Sequence, residues 1–283
     1  MTDAGRKRNK TIYFISGFPR SGNTLLASIL NQNSNIDATA HSILPDILFS
    51  IENIKHYNVA YNNFPDRQSV DNVSKNIFDS YYKDWSADII IERGDWITPC
   101  NFSLLEKYFL GEIKIVVLVR GILDIIKSYL NLCAVDSEFH INKTYDSLDK
   151  TTLYKDEIEE KCDIIMRKGG YVDVILYSIK WLFDNNKEKH LYFVDYDELV
   201  KNTKNTIKGI YNFLNIDFFD HHFTHLEQLN VNNTSYNDNI LGIGGDMHTI
   251  RTNAIKEIDY QIELPVRVIN NYSNLELWRK IPD

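Results

Sequence analysis

The sequence predicts an α/β domain, a doubly wound parallel sheet with helices on both faces. Three observations favour this class. Short runs of strand composition recur along the chain, stretches with helical apolar spacing follow them, and the longest strand-like run has no polar face. With 283 residues, 43% of them hydrophobic, the chain can bury one large core. We expect a flexible tail at residues 1–10 and a single domain at residues 11–283.

The predicted strand and helix units begin near the N-terminus. A β-branched and aromatic run predicts a strand at residues 11–16, which ends at Gly17, and apolar spacing predicts a helix at residues 24–31. A short buried strand is expected at residues 87–91. The run EIKIVVLVR at residues 112–120 is typical of a parallel strand buried on both faces, and a helix follows it.

The second half continues the alternation. We predict a long helix at residues 171–186, a strand that starts near residue 189 and a helix at residues 205–216. Two stretches interrupt it. Residues 132–168 are polar and charged, which predicts a lid or a substrate-facing insertion. Residues 230–239 are rich in asparagine and predict a loop without a packing face.

Composition excludes several classes of protein. The formal net charge of -8 argues against a general nucleic-acid-binding surface, which needs a basic face. Three scattered cysteines predict no disulfide framework and favour a reducing compartment. The sequence shows neither a run of about 18 apolar residues nor the apolar core of a signal peptide, so we expect no membrane span and a cytoplasmic protein.

The stretch YFISGFPRSGNTLLASIL has the spacing of a nucleotide-binding phosphate loop. A turn from strand to helix points backbone N–H groups at one spot, which suits a phosphate. However, Asn23 replaces the usual lysine, and the loop's cation is Arg20. The alternative to a phosphate-binding loop is an ordinary turn between a strand and a helix. The predicted ligand contacts of the loop are Gly17, Pro19, Arg20, Ser21, Gly22, Asn23 and Thr24.

Three motifs together resemble the sulfotransferase family. FPRSGNTLL resembles its 5′-phosphosulfate loop, and VLVRGILDIIKSY resembles its second signature, in which Arg120 and Ser128 would grip a 3′-phosphate. LYFVDYDELVKNTKNTIKGIYNFLNI resembles a third segment, so the likeness spans residues 11–216. Gly121–Ile122 and Leu25 depart from the cytosolic aryl members. The chain looks closer to bacterial and protein-tyrosine-directed members.

The resemblance implies a P-loop NTPase-like fold and an enzyme that moves a sulfuryl group from 3′-phosphoadenosine-5′-phosphosulfate (PAPS) to an acceptor hydroxyl or amine, without a metal. The acceptor would be a small molecule, a sugar or a peptide. Two alternatives remain open: a P-loop small-molecule kinase, and a non-catalytic nucleotide-binding protein of the same fold. The missing lysine, and Arg120 where an NTPase would carry aspartate, count against the kinase.

Further residues are candidates for the chemistry. Arg20 would stabilise charge on the leaving phosphate, because an arginine stays protonated. His41 is the candidate base, with a hydrogen-bonded loop histidine as the alternative. Glu92 is the second candidate base and Arg93 a candidate sulfate contact, unless they form a plain ion pair. GGDMHTIR resembles the family's segment over the 3′-phosphate and the adenine, which predicts donor contacts from Gly245, His248 and Arg251.

Overall fold

A computed structural model gives the structure of this chain. It describes residues 10–39, 41–152, 155–228, 230–241, 248–250, 255–256, 258 and 260–280. The predicted tail lies outside these residues, apart from Lys10, and so do the predicted donor contacts Gly245 and Arg251.

Within the described residues, five strands form one sheet in which every neighbouring pair is parallel. The sheet has the order β2-β3-β1-β4-β5. The strands are β1 (Thr11–Gly17), β2 (Ile36–Ala38), β3 (Ile89–Arg93), β4 (Ile115–Val119) and β5 (Leu191–Asp195). The order is typical of doubly wound sheets and confirms the predicted fold class.

Helices cover both faces of the sheet. They are α1 (Asn23–Leu30), α2 (Leu44–Tyr57), α3 (Val59–Asn63), α4 (Arg67–Tyr81), α5 (Pro99–Tyr108), α6 (Ile122–Val135), α7 (His140–Asp146), α8 (Glu157–Ile165), α9 (Tyr171–Asp184), α10 (Tyr196–Lys201), α11 (Thr203–Leu214) and α12 (Val266–Tyr272). Proline and polar caps start several of them. Thr98, for example, accepts a hydrogen bond from the Asn101 N–H and is followed by Pro99 at the first helical position of α5.

Two apolar cores lie on opposite sides of the sheet, because successive strand residues alternate between its faces. Phe14 of β1 and Val117 of β4 belong to one core, and their neighbours Ile15 and Val116 belong to the other. All five residues of β4 are buried, as the sequence predicts for a central parallel strand. The carboxyl ends of β1, β3 and β4 therefore meet at one edge, where the loop after β1 begins.

The two predicted interruptions differ in outcome. Residues 132–168 contain the end of α6, then α7 and α8, and place Phe139, Cys162 and Ile165 in the core; their role as a lid stays a prediction. The expectation that residues 230–239 have no packing face is wrong, because Val231 and Asp238 are buried. None of the described helices has the length and apolar character needed to cross a membrane.

Candidate functional site

The loop after β1 is pressed against β4. Gly17 has a φ of +136°, and a Cβ atom at this position would lie 2.1 Å from the Leu118 carbonyl oxygen. The Phe18 N–H donates to that same oxygen at 3.0 Å. At the other end of the loop, Gly22 has a φ of +88° and is the N-cap of α1, so no side chain shields the first-turn N–H groups. Both glycines are required by the backbone path.

Asn23, which stands at the lysine position of a nucleotide-binding loop, turns inward. Its amide donates to the Phe18 carbonyl at 2.9 Å, and the Ser21 hydroxyl donates to the same oxygen at 2.6 Å. Both side chains are buried. The asparagine thus stabilises the loop from inside, and the hydrogen bond to phosphate expected of its amide is not available in this rotamer.

Arg20 links the loop to the second predicted signature. Its backbone lies in the left-handed region, with a φ of +63°, which is uncommon for a residue with a side chain. Its Nε donates to the Ser128 hydroxyl at 3.1 Å, and its carbonyl accepts from Arg120 Nη1 at 2.9 Å. The structure therefore brings together Arg20, Arg120 and Ser128, three residues predicted to bind the same ligand.

Arg120 is a buried cation, and its charge partly offsets the desolvation that raises the pKa of Asp124. Only 5% of the residue is exposed, its guanidinium stacks 4.2 Å above the Tyr196 ring centre, and its Nε has no hydrogen-bond partner. In the described part of the chain, no carboxylate pairs with it within 4.0 Å. An unpaired buried charge is costly, so this position suits a phosphate better than an apolar ligand.

Tyr260 is a member of this group that no sequence motif indicated. Its hydroxyl lies 3.2 Å from the Ser128 hydroxyl, and the Arg120 guanidinium lies 5.8 Å from its ring centre. Burial acts to raise the pKa of Tyr260, but the Ser128 hydrogen bond and the two arginines outweigh it and lower that pKa. The phenol thus experiences the positive potential that a bound phosphate would meet.

A second group of predicted residues lines a cavity of about 480 Å³ beside the carboxyl end of β3. It contains His41, Arg93 and His248, with Trp85, Tyr236 and Asp238. Arg93 Nη1 lies 3.3 Å from His41 Nδ1. His41 is exposed at the cavity mouth, yet surrounding protein lowers its pKa by desolvation, and the Arg93 charge lowers it further.

Glu92 does not share this cavity. It is fully buried on the opposite face of β3, where the Trp96 indole N–H donates to its carboxylate. Desolvation raises its pKa to about 7, and the nearby Ser42 side chain and the Trp96 hydrogen bond only partly offset this. No ion pair joins Glu92 and Arg93 among the described side chains, since strand alternation points the two to opposite faces.

The loop and the cavity are neighbours. The Thr24 side chain, at the start of α1, lies near enough to the Tyr236 phenol to oppose the rise in its pKa that desolvation causes, and the Tyr236 ring stacks flat on His248 with centres 3.8 Å apart. His248 Nδ1 lies 2.5 Å from Asp238 Oδ1. His248, predicted as a donor contact, therefore stands among the cavity residues.

Tyr236, Asp238 and Tyr260 were missed for one reason. Tyr236 and Tyr260 lie in irregular segments and Asp238 begins a four-residue 3-10 helix, and in none of these does a periodicity or motif indicate which side chains turn inward. The histidines at 221, 222 and 225 have a metal-like spacing in sequence, but His221 is buried with its Nε2 3.0 Å from the Tyr211 hydroxyl. The described residues contain no group of three or more His, Cys, Asp or Glu side chains placed to hold a metal.

Comparison with known proteins identifies a family for most of the chain. The sulfotransferase domain model matches residues 10–240. No curated protein sequence matches the chain. Among solved structures, the sulfotransferase domain of the Synechococcus PCC 7002 olefin synthase is 15% identical, covers 99% of this chain and 98% of its own, and has a TM-score of 0.49. An Alicyclobacillus acidocaldarius sulfotransferase is 16% identical over 77% of this chain and 85% of its own, with a TM-score of 0.48.

Proposed function

This chain belongs to the sulfotransferase family, which makes it a transferase enzyme, and we propose that it moves a sulfuryl group from PAPS to a hydroxyl or amine of an acceptor. The observation that carries the proposal is the buried, unpaired Arg120 guanidinium beside Arg20 and Ser128. A 3′-phosphate would supply the anion that this group lacks. A nucleotide without a 3′-phosphate would leave Arg120 unpaired.

The loop would hold the 5′ end of the donor. The first-turn N–H groups of α1, uncapped at Gly22, would face its phosphate, and the Thr24 hydroxyl stands at the same helix end. When bound, PAPS supplies a sulfuryl group on a phosphate leaving group. Arg20 is then the cation of the loop that would oppose negative charge on the bridging oxygen, where preorganised charge lowers the barrier most.

The cavity with His41 and Arg93 would receive the acceptor. Its walls combine aromatic rings with hydrogen-bonding groups, which fits a hydroxylated small molecule, a sugar or a peptide side chain. Arg93 would approach the transferring sulfuryl oxygens or an anionic group of the acceptor. The contact between Thr24 and Tyr236 supports transfer between the two sites, because it joins the loop to the cavity wall.

The first test uses the donor product 3′-phosphoadenosine-5′-phosphate (PAP). At a hundredfold excess over its Kd, PAP is expected to stabilise the fold by about 2.7 kcal/mol, a rise in melting temperature of roughly 4–5 °C for a chain of this size. ATP with magnesium is expected to give a much smaller rise. An equal or larger rise with ATP and magnesium would favour the small-molecule kinase instead.

Arg120→Ala tests whether the buried Arg120 guanidinium binds the 3′-phosphate of the donor. It is expected to weaken PAP binding by calorimetry and to raise the KM for the donor with kcat largely kept, because a 3′-phosphate contact is the same in ground and transition states. Arg67→Ala removes an exposed arginine at the start of α4 and serves as the control. Unchanged PAP affinity in Arg120→Ala would refute the phosphate assignment.

An assay of sulfuryl transfer from labelled donor searches for the acceptor. Sulfur-labelled PAPS and the purified protein are incubated with the small-molecule fraction that diffuses out of a cell extract on dialysis, and labelled products are separated. Labelled product from the parent protein but not from Arg20→Ala would support the proposed activity. Binding of PAP without transfer to any fraction would favour the non-catalytic nucleotide-binding alternative.

A further inference from the structure

His248 and Asp238 form a pair whose geometry defines the protonation of the ring. Asp238 is buried, and its two oxygens receive the His248 backbone N–H at 3.0 Å and Nδ1 at 2.5 Å. An ionised carboxylate only accepts hydrogen bonds, so Nδ1 must carry the hydrogen. In the neutral imidazole the lone pair is then on Nε2, the nitrogen available to accept a proton.

His41, the base expected from sequence, has the opposite arrangement. The guanidinium of Arg93 only donates, so His41 Nδ1, 3.3 Å from Arg93 Nη1, must accept. The lone pair of neutral His41 is thus directed at Arg93, and its Nε2 carries hydrogen. In this arrangement His41 can donate a hydrogen bond to an anionic oxygen, whereas it cannot accept the acceptor's proton.

Packing fixes His248 next to the phosphate loop. Its ring lies parallel to that of Tyr236, with 2° between the planes, and the Tyr236 phenol lies near the Thr24 side chain. Two further contacts hold the backbone on either side: Gln228 donates to the His248 carbonyl at 3.0 Å and accepts from the Ile250 N–H at 2.8 Å. The backbone contacts and the stacking therefore hold the imidazole in place, and the Tyr236 ring lies between it and the start of α1.

We infer that His248, oriented by Asp238, is the proton acceptor of the transfer reaction, and that Asp238 is its positioning residue. The inference rests on the proposed function. As the acceptor oxygen forms its bond to sulfur, His248 Nε2 takes the proton from that hydroxyl. The bond between sulfur and the bridging oxygen breaks, and its electron pair stays on the phosphate of PAP beside Arg20. Asp238 balances the imidazolium charge.

The tautomers can be measured without donor or acceptor. A long-range ¹H–¹⁵N correlation spectrum of the ¹⁵N-histidine-labelled full chain at pH 8, assigned with His248→Gln and His41→Gln, is expected to show protonated Nδ1 in His248 and protonated Nε2 in His41. Asp238→Asn is expected to remove the preference in His248. An Nε2-protonated His248 in the parent protein would overturn the assignment, whether or not the chain transfers sulfate.

Measuring the transfer rate together with PAP affinity distinguishes His248 as a base from His248 as a donor contact. With the small-molecule extract fraction as acceptor, His248→Gln is expected to lower the single-turnover rate about a hundredfold to ten-thousandfold. Asp238→Asn is expected to lower the same rate, because a wrong tautomer disables the base. PAP affinity, measured by calorimetry, is expected to remain unchanged in both variants, and this result would also show that both variants fold. Loss of PAP affinity in His248→Gln would make His248 a donor contact and would overturn the inference. A parental rate in His248→Gln would do the same, whereas failure of the parent to bind PAP would instead refute the proposed function.

Discussion

Glu92→Gln is expected to stabilise the protein in a pH-dependent way. Glu92 is fully buried, and desolvation raises its pKa from 4.5 to about 7. A raised pKa means that the folded state favours the protonated carboxyl. The associated stability is fully present below pH 4.5 and is lost as the pH rises through 7. Glutamine has the same shape, keeps an oxygen for the Trp96 indole N–H and cannot ionise.

The size of the effect follows from the two pKa values. Ionisation of Glu92 costs the folded state about 3 kcal/mol at pH 8 and about 1 kcal/mol at pH 5. Between pH 5 and pH 8, Glu92→Gln should therefore gain about 2 kcal/mol of unfolding free energy relative to the parent protein. A buried carboxyl with this cost is often functional, so transfer must be measured on the same variant.

Urea unfolding at pH 5, 6, 7 and 8 measures the gain, and Glu112→Gln, at a carboxylate whose side chain is 74% exposed, is the control. We expect the control to change stability by less than about 0.5 kcal/mol at every pH. Equal pH dependence in Glu92→Gln and the parent would refute the reasoning about burial. A fall in transfer of about a hundredfold would instead make Glu92 the base, in place of His248.

Three further predictions concern the fold and the loop. His221→Gln should make the protein less sensitive to acid, because burial lowers the pKa of His221 to about 4. The parent should therefore lose about 2 kcal/mol of unfolding free energy between pH 7.5 and 5. In urea unfolding, the control His225→Gln, at an exposed site, should show the same loss as the parent. Gly17→Ala should destabilise by more than about 3 kcal/mol, since its Cβ would lie 2.1 Å from the Leu118 oxygen; an unchanged urea midpoint would contradict this. Arg20→Ala should lower turnover roughly a hundredfold to a thousandfold at every pH from about 6 to 9, because arginine does not titrate there; a pH–rate profile of altered shape would count against a purely electrostatic role.

The sequence by itself determined the sheet and the residues proposed to bind the donor. Apolar runs and helical spacing predicted β1, β4, β5 and the helices after them, because each pattern reports burial of a local segment. Parallel strands expose their carboxyl ends at one edge, so the loop after β1 and the arginine after β4 were expected to meet. The structure places Arg20, Arg120 and Ser128 in contact, as that reasoning implies.

Only the tertiary structure decided which candidate residues line the cavity proposed to receive the acceptor. Adjacent residues Glu92 and Arg93 were both candidates for chemistry, and the packing of helices against each face determined which of them met a cavity. His248 pairs with Asp238, ten residues away in the sequence, and Tyr260 reaches Ser128 across 132 residues. Such contacts leave no periodic trace in the sequence, because they depend on where loops close in space and not on any repeating local pattern.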